Sequence, residues 1–187
     1  MSIISDLKEA RKLELALSQP SLNFLTFSAS ELLAEIHADL FPDVRYTVRV
    51  DFVAGGPLAC VAHTSECASI YIHQLLNHSD TPVEVVRLIF KHELLHLRIP
   101  PTWVAGKEVQ HPPEFWKAER AIAPERNSVW EWVWVNFGKC LRRRPRLQQI
   151  DVGPRWKKLW SQPKTDIAIC RQMTAFRPEQ PEELGGW

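Results

Sequence analysis

The sequence HELLH, at residues 92–96, constrains this 187-residue chain more than any other feature, because it lies inside a clearly delimited helix. Thr81-Pro82-Val83-Glu84 supplies an N-cap residue, a proline at the first helical position and a glutamate at the third. Pro100-Pro101 ends the helical pattern, because proline cannot continue a helix. The sequence therefore predicts a helix from about Pro82 to about Leu97.

This helix places two histidines and a glutamate where they can serve one metal ion. His92 and His96 are four residues apart, so both rings project from one helical face. Zinc held by two such imidazoles makes a nearby water acidic, and Glu93, one helical step around, can accept the proton. The pattern predicts a zinc hydrolase. Two exposed histidines on an amphipathic helix are the alternative interpretation.

A catalytic zinc site also needs a third protein ligand and an open fourth position. Ile99 and Thr102 occupy the positions where the metzincin extension has glycine and histidine, which excludes that class. We favour His111, which follows a loop of about a dozen residues and lies at the start of a further helix. Glu114 or Glu119 of that helix is the competing third ligand.

The segments HELLHL and HPPEFW, with the gap between them, resemble the SprT-like metallopeptidases and the related YgjP-type metal-dependent hydrolases. The resemblance implies an α+β, zincin-like metallopeptidase domain over residues 28–123, with a small, mostly antiparallel sheet and flanking helices. It also implies one Zn²⁺ ion as cofactor. By position, the family's three zinc ligands and its general base correspond to His92, His96, His111 and Glu93. The four-cysteine zinc ribbon that often follows the SprT domain is absent from this sequence.

Three β-like segments precede the motif helix, at residues 45–53, 58–63 and 68–76. In the last of these, apolar and polar residues alternate, which predicts one buried face and places His73 on the polar one. His73 is therefore expected at the surface, although it could point towards the cleft. Zincin proteases commonly hold substrate as an extra strand along a sheet edge. The segment 68–76 is expected to supply that edge, with an ordinary core strand as the alternative.

Helical segments flank the predicted domain. Residues 3–18 form an amphipathic pattern, so we assign residues 1–27 to an N-terminal helix, and a second helix starts at Ser28. Residues 124–187 form a helical, tryptophan-rich and basic C-terminal extension. Its helix is predicted over residues 129–141. In that helix the side chains of Trp130 and Trp134 are expected to pack on the core and that of Trp132 to be partly exposed, since the three cannot share one helical face.

Basic residues concentrate in this extension. Residues 139–187 have a net charge of +6, whereas residues 1–138 have a net charge of −5. Basic clusters beside tryptophans are typical of nucleic-acid binding, which makes DNA or RNA a candidate partner. The candidate phosphate contacts are Arg142, Arg143, Arg144 and Arg146, and the candidate base-stacking residues are Trp156 and Trp160. A solvated tail with arginines at a helix end is the alternative.

Composition favours a cytoplasmic protein. No apolar run approaches the roughly 18 residues that a membrane span needs, and the first residues lack a secretory-signal pattern. We therefore expect no membrane partner. The four cysteines form no C-x-x-C pair and are expected to be reduced, although a Cys60–Cys67 disulfide is an alternative.

The predicted function is that of a zinc-dependent metallopeptidase acting on a protein or peptide substrate. One alternative is a metal-dependent hydrolase with a non-peptide substrate, and another is a nucleic-acid- or protein-binding module with structural zinc. Glu93 argues against the structural site, which needs no base. Glu114 is a candidate for orienting a metal ligand from outside the coordination set, with a plain helix-start carboxylate as the alternative.

Overall fold

The computed structural model describes residues 24–175 and has an α+β architecture. The helices of this part of the chain are α1 (Ala29–Leu40), α2 (Val83–Arg98), α3 (Pro113–Ile122), α4 (Arg126–Phe137), α5 (Trp156–Trp160) and α6 (Ile167–Ala175), with a 3₁₀ turn at Gln74–Leu76. The strands are β1 (Thr47–Val53), β2 (Ala59–His63), β3 (Cys67–His73), β4 (Thr102–Val104), β5 (Lys107–Val109), β6 (Leu141–Arg144) and β7 (Gln149–Val152). The helix predicted for residues 3–18 lies outside the described residues.

The first three strands form one sheet in the order β1-β3-β2, so β3 is its central strand. β1 runs parallel to β3 and β2 runs antiparallel to it. The expectation that the segment 68–76 supplies a sheet edge is therefore wrong, and β2 is the edge that adjoins the motif helix.

His73 also differs from its prediction, because it is buried rather than at the surface. Its Nδ1 accepts a hydrogen bond from the Leu75 N–H at 3.0 Å, and its ring meets that of Trp156 with 5.0 Å between centroids. The alternation of polar and apolar residues in β3 indicated one solvated face. Residues from α5, far along the chain, cover that face.

Helix α2 has the bounds that the sequence predicts to within a residue. It begins at Val83, with Pro82 as its N-cap, and ends at Arg98 before Pro100. Helices α1, α3 and α4 and strand β2 all pack against it. Because neighbours surround α2, nearly every residue from Val85 to Leu95 is buried, including the polar ones. The motif is therefore held in the interior rather than on a solvated helical face.

Two β-hairpins occupy segments for which the sequence predicted other structure. The predicted loop before His111 contains the antiparallel pair β4–β5. The helix predicted for residues 129–141 ends at Phe137, and Leu141 begins the antiparallel pair β6–β7. Gly138 permits this change of direction, since a Cβ there would lie 2.5 Å from the carbonyl oxygen of Trp134.

The hydrophobic core is continuous from α1 to α6 in the part of the chain that the structure describes. Trp130 and Trp132 are both fully buried, which corrects the expectation that Trp132 is partly exposed. The chain after α5 returns across α4, and the Trp132 Nε1–H donates a hydrogen bond to the Thr165 carbonyl at 2.6 Å. Trp134 is half-buried instead. A later segment of the chain therefore covers the helical face that the periodicity predicts to be exposed to solvent.

Two further sequence expectations concern the surroundings of the protein. All four cysteines are free thiols, as expected. Within residues 24–175, no helix combines the length and the apolar character needed to cross a membrane.

Candidate metal centre

Three histidine rings converge at the C-terminal half of α2. His92 and His96 lie one turn apart on this helix, and His111 lies in the turn that precedes α3. The Nε2 atom of His92 is 3.2 Å from Nε2 of His96 and 3.0 Å from Nε2 of His111. His92 and His111 are buried and His96 is half-buried. The structure thus brings together all three histidines that the sequence predicted as ligands.

The spacing of these nitrogen atoms fits a single metal ion. Nitrogens bound at ~2.0–2.1 Å to a tetrahedral zinc ion lie ~3.3 Å from one another. The distances of 3.0 and 3.2 Å are close to that value. Among residues 24–175, no fourth histidine, cysteine or carboxylate joins the cluster. Three imidazoles with a remaining open side are the donor set of a catalytic zinc site.

All three rings are held in the neutral form that binds a metal. Burial, together with the neighbouring rings, lowers the pKa of His96 to about 3 and the pKa of His111 to about 2. Burial, with Arg126 nearby, also holds the pKa of His92 well below its usual value. Protons therefore do not compete for these nitrogens at neutral pH.

A buried carboxylate orients the first histidine. Nδ1 of His92 lies 2.7 Å from Oε1 of Glu119, and the Nε–H of Arg126 donates to Oε2 of the same carboxylate at 2.6 Å. Burial raises the pKa of Glu119, and the Arg126 guanidinium opposes that rise. The carboxylate accepts a hydrogen bond from the Nδ1–H of His92, which leaves the Nε2 lone pair for a metal. Glu119 thus lies behind a ligand and outside the cluster of three histidines.

Sequence reasoning assigned this orienting role to Glu114, which the structure places at the exposed surface of α3. Glu119 was considered only as a third ligand. Helical spacing could have identified it, because it follows by four residues the buried Phe115, whose ring lies 4.8 Å from that of His111. Arg126 was missed, since it meets Glu119 only through the packing of the helices.

Glu93 faces the edge of the sheet. Its side chain is 2% exposed, and the backbone N–H of Val61 in β2 donates a hydrogen bond to its carboxylate. Burial, followed by the charge of Glu119, raises the pKa of Glu93 to about 8. Glu93 therefore lies beside the histidines, outside their cluster, and in contact with the strand that ends the sheet.

A cleft of about 1100 Å³ opens onto the histidines and Glu93. Its walls come from β2, from the β4–β5 hairpin and from the β6–β7 turn. Two large apolar side chains on this wall are exposed, Trp103 at 71% and Leu147 at 50%. Cys60 of β2 also lines the cleft, and burial raises the pKa of its thiol to about 12, so it remains protonated. The cleft can therefore take a ligand much larger than water.

The β6–β7 turn contacts the third histidine directly. Oε1 of Gln148 accepts hydrogen bonds from the backbone N–H of Gln110 at 2.8 Å and of His111 at 3.1 Å. Sequence reasoning missed this residue. No local pattern marks it, because the contact joins segments that are far apart in the chain.

The four candidate phosphate-contact arginines lie on the β6–β7 hairpin rather than at a helix end. The guanidinium of Arg143 lies 4.9 Å from the centre of the Trp134 ring, and Nε of Arg144 is 2.7 Å from Oδ2 of Asp151. Arg142 is exposed, and Arg146 lines the cleft. Successive strand residues face opposite sides, so these arginines do not form a single basic face.

The two candidate stacking residues pack against the protein. Trp156 is buried against His73, and the Nε1–H of Trp160 donates to the Asn77 carbonyl at 3.1 Å. The rings of Phe24 and Trp160 pack edge to face, with 5.5 Å between centroids. Stacking on a base would require these contacts to change.

Comparison with protein families, with curated proteins and with solved structures gives no match for this chain. Interpretation of the centre therefore depends on its own geometry.

Proposed function

We propose that this protein is a zinc-dependent metallopeptidase with a zincin-like domain of the SprT-like kind. In this proposal His92, His96 and His111 hold the ion and Glu93 is the general base. One observation carries the proposal: three converging Nε2 atoms and a buried glutamate lie against the unpaired edge of a sheet. Each of these parts has a use in peptide hydrolysis.

Glu93 supplies the proton transfers. A bound zinc ion would act as a Lewis acid that polarises the substrate carbonyl and makes water more acidic. Glu93 takes the proton of the attacking water on a carboxylate oxygen and then gives it to the leaving amine. Burial raises its pKa to about 8 and a bound cation would lower it, which suits a group that must both accept and release a proton. The Val61 N–H holds the carboxylate in place.

The strand edge favours a peptide as the substrate. The Val61 N–H points to Glu93, so Val61 faces away from the neighbouring strand β3. Along an antiparallel strand, alternate residues share that direction, so the backbone groups of Ala59 and His63 also point outwards. An extended peptide can pair with such an edge and bring a peptide bond to Glu93 and the histidines. A small non-peptide substrate would have no use for these groups.

A structural zinc site is the less favoured reading. Structural sites close all four positions with protein ligands, whereas residues 24–175 supply three. A structural site also has no need of a buried carboxylate such as Glu93 beside the metal.

Hydrolysis of an unfolded protein by the zinc-loaded enzyme tests the proposal. Glu93→Gln keeps the shape of the side chain but cannot take a proton, so turnover should fall by at least ~10²-fold. Metal analysis should show unchanged zinc in this variant and loss of zinc in His96→Ala. A Glu93→Gln enzyme as fast as the wild type would exclude this mechanism. Cleavage of small esters or amides without any cleavage of polypeptides would instead favour the non-peptide hydrolase.

We also propose nucleic acid as a second partner, because Arg146 of the basic hairpin is part of the cleft wall. Nucleic acid bound along this hairpin would hold its associated proteins beside the histidines. This would make proteins on DNA or RNA the substrates that the peptidase meets most often.

A further inference from the structure

One side chain of the β6–β7 hairpin forms hydrogen bonds with the backbone of the metal centre. Oε1 of Gln148 accepts two hydrogen bonds from consecutive backbone groups, the N–H of Gln110 at 2.8 Å and the N–H of His111 at 3.1 Å. Pro112 and Pro113 follow and have no N–H. Gln148 therefore satisfies the last two backbone donors before α3.

The backbone of Gln148 indicates that this contact constrains the turn. Its φ is +48°, in the left-handed region that residues with a side chain rarely adopt. Glycine or asparagine would fit this position with less strain. Glycine has no side chain to accept a hydrogen bond, and the asparagine side chain is one methylene shorter. The glutamine thus combines an unfavourable backbone with the reach that the contact to His111 needs.

His111 depends on its backbone more than His92 does. The ring of His92 is held from behind by Glu119, whereas Nδ1 of His111 is buried without a hydrogen-bond partner among the described residues. Aromatic contacts with Phe115 and Trp116, each at 4.8 Å between ring centroids, pack the His111 ring but do not fix its rotation as a hydrogen bond would. The position of the His111 backbone therefore determines the direction in which this ring points.

We infer that Gln148 is a positioning residue for the third metal ligand. It orients His111 by bonding the backbone, whereas Glu119 orients His92 by bonding the ring. The inference rests on the proposed metal centre. Partners that orient metal ligands typically change metal affinity about 10- to 100-fold when they are removed. Gln148→Gly should therefore weaken metal binding by at least about 10-fold, although it relieves the backbone strain.

The experiment uses Co²⁺ as the probe, because its visible absorption reports the coordination geometry as well as the affinity. The full-length protein and three variants are titrated with Co²⁺ after removal of bound metal. Gln148→Gly removes both hydrogen bonds. Gln148→Glu keeps an oxygen in the same place and should restore the wild-type spectrum and affinity. Gln149→Ala is the matched control, since within residues 24–175 the Gln149 side chain bonds only Asp151, at 2.8 Å.

The outcomes separate this inference from the proposed function. Weaker Co²⁺ binding and an altered spectrum in Gln148→Gly alone, with metal-free melting temperatures alike in all four proteins, support the positioning role. Wild-type affinity in Gln148→Gly overturns it and leaves the metal centre intact. Equal losses in Gln148→Gly and Gln148→Glu also overturn it, because the carboxylate can accept the same two bonds. A wild-type protein that binds no Co²⁺ removes both the metal centre and the inference.

Discussion

Glu119 bonds Nδ1 of His92 with one carboxylate oxygen and the guanidinium of Arg126 with the other. Both partners are donors, so both need an acceptor. In Glu119→Gln the side chain has a single acceptor oxygen, and its amide group would face one of the two donors. We expect metal affinity to fall by about 10- to 100-fold, measured by competition with a coloured chelator.

The control for this change lies on the same helix. Glu114→Gln alters an exposed carboxylate of α3 and should leave metal affinity unchanged. If both substitutions weaken binding equally, the general loss of negative charge near the site is responsible. The hydrogen bond to His92 would then have no special role.

Some residues of the metal centre can be predicted from the sequence and others cannot. The pair His92 and His96 follows from the helical period alone, because a four-residue step determines which rings share a face. Arg126 and Gln148 could not be found this way. Each reaches the centre through contacts between distant segments, and such contacts leave no spacing in the sequence.

At the level of secondary structure, the outward-facing N–H of Val61 in the edge strand β2 should be needed for cleavage but not for folding. The N–H of Val61 points away from the sheet and to Glu93, so Val61→Pro removes it without breaking a sheet hydrogen bond. A hydrogen bond to a charged group contributes about 1.5–3 kcal/mol, so turnover should drop by about 10- to 100-fold. Peptidase assays with the zinc-loaded variant measure the effect.

Val61→Ala provides the comparison, since it trims the side chain and keeps the N–H. Near-wild-type turnover in Val61→Ala, with unchanged zinc content in both variants, would assign the loss to the backbone group. Full activity in Val61→Pro would show that neither Glu93 nor the substrate uses this part of the edge.

The basic hairpin should bind nucleic acid mainly through Arg142 and Arg146. Arg144 is paired with Asp151, whereas residues 24–175 provide no ion-pair partner for Arg142 or Arg146. Each phosphate contact that is lost reduces the slope of log affinity against log salt by about 1. Fluorescence anisotropy with single- and double-stranded DNA should show weaker binding and a shallower slope in the double variant Arg142→Gln/Arg146→Gln.

Zinc content should stay the same in that variant, and Arg144→Gln should have a smaller effect on DNA binding. Absence of any binding by the wild-type protein at low salt would remove nucleic acid as a partner. The proposed peptidase would then have to find its substrates without it.

Secondary structure was predictable where strong end signals exist. The prolines set the ends of α2, whose N-cap is Pro82 rather than the predicted Thr81 and has no side-chain cap bond, and Ser28 caps α1 with a 3.2 Å bond from the Glu31 N–H. The two hairpins were missed because their strands have three or four residues, too few for a clear alternation of polar and apolar positions. Burial of both faces of β3 also depends on α5, which only the folded chain brings there.

For the molecule as a whole, buried histidines make the metal-free protein sensitive to acid. Burial lowers the pKa of His73 to about 4, and the pKa values of His96 and His111 are lower still. The unfolded chain binds these protons near the ordinary pKa of 6.5 and the folded one does not. The contribution of these histidines to stability is therefore complete above about pH 6.5 and declines as the pH falls below it.

Glu93 has the opposite effect. Its folded pKa of about 8 exceeds the ordinary value of 4.5, so the folded state binds the extra proton and stability declines as the pH rises between these values. Glu93→Gln removes that decline. With chelator present, its melting temperature relative to that of the wild type should rise from about pH 4.5 to about pH 8 and then stay level. A difference that is constant with pH would contradict the burial of this carboxyl.

A protein is synthesised from its N-terminus, and this order bears on when the cleft becomes complete. The Leu58 N–H, just before β2, donates to the Ile150 carbonyl at 2.7 Å, and the His111 backbone donates to Gln148. The three histidines and Glu93 therefore leave the ribosome before the residues that support them. A growing chain carries the whole proposed hydrolytic apparatus in unassembled form. Under the proposed function, a nascent peptidase is thus kept inactive until the β6–β7 hairpin has been synthesised.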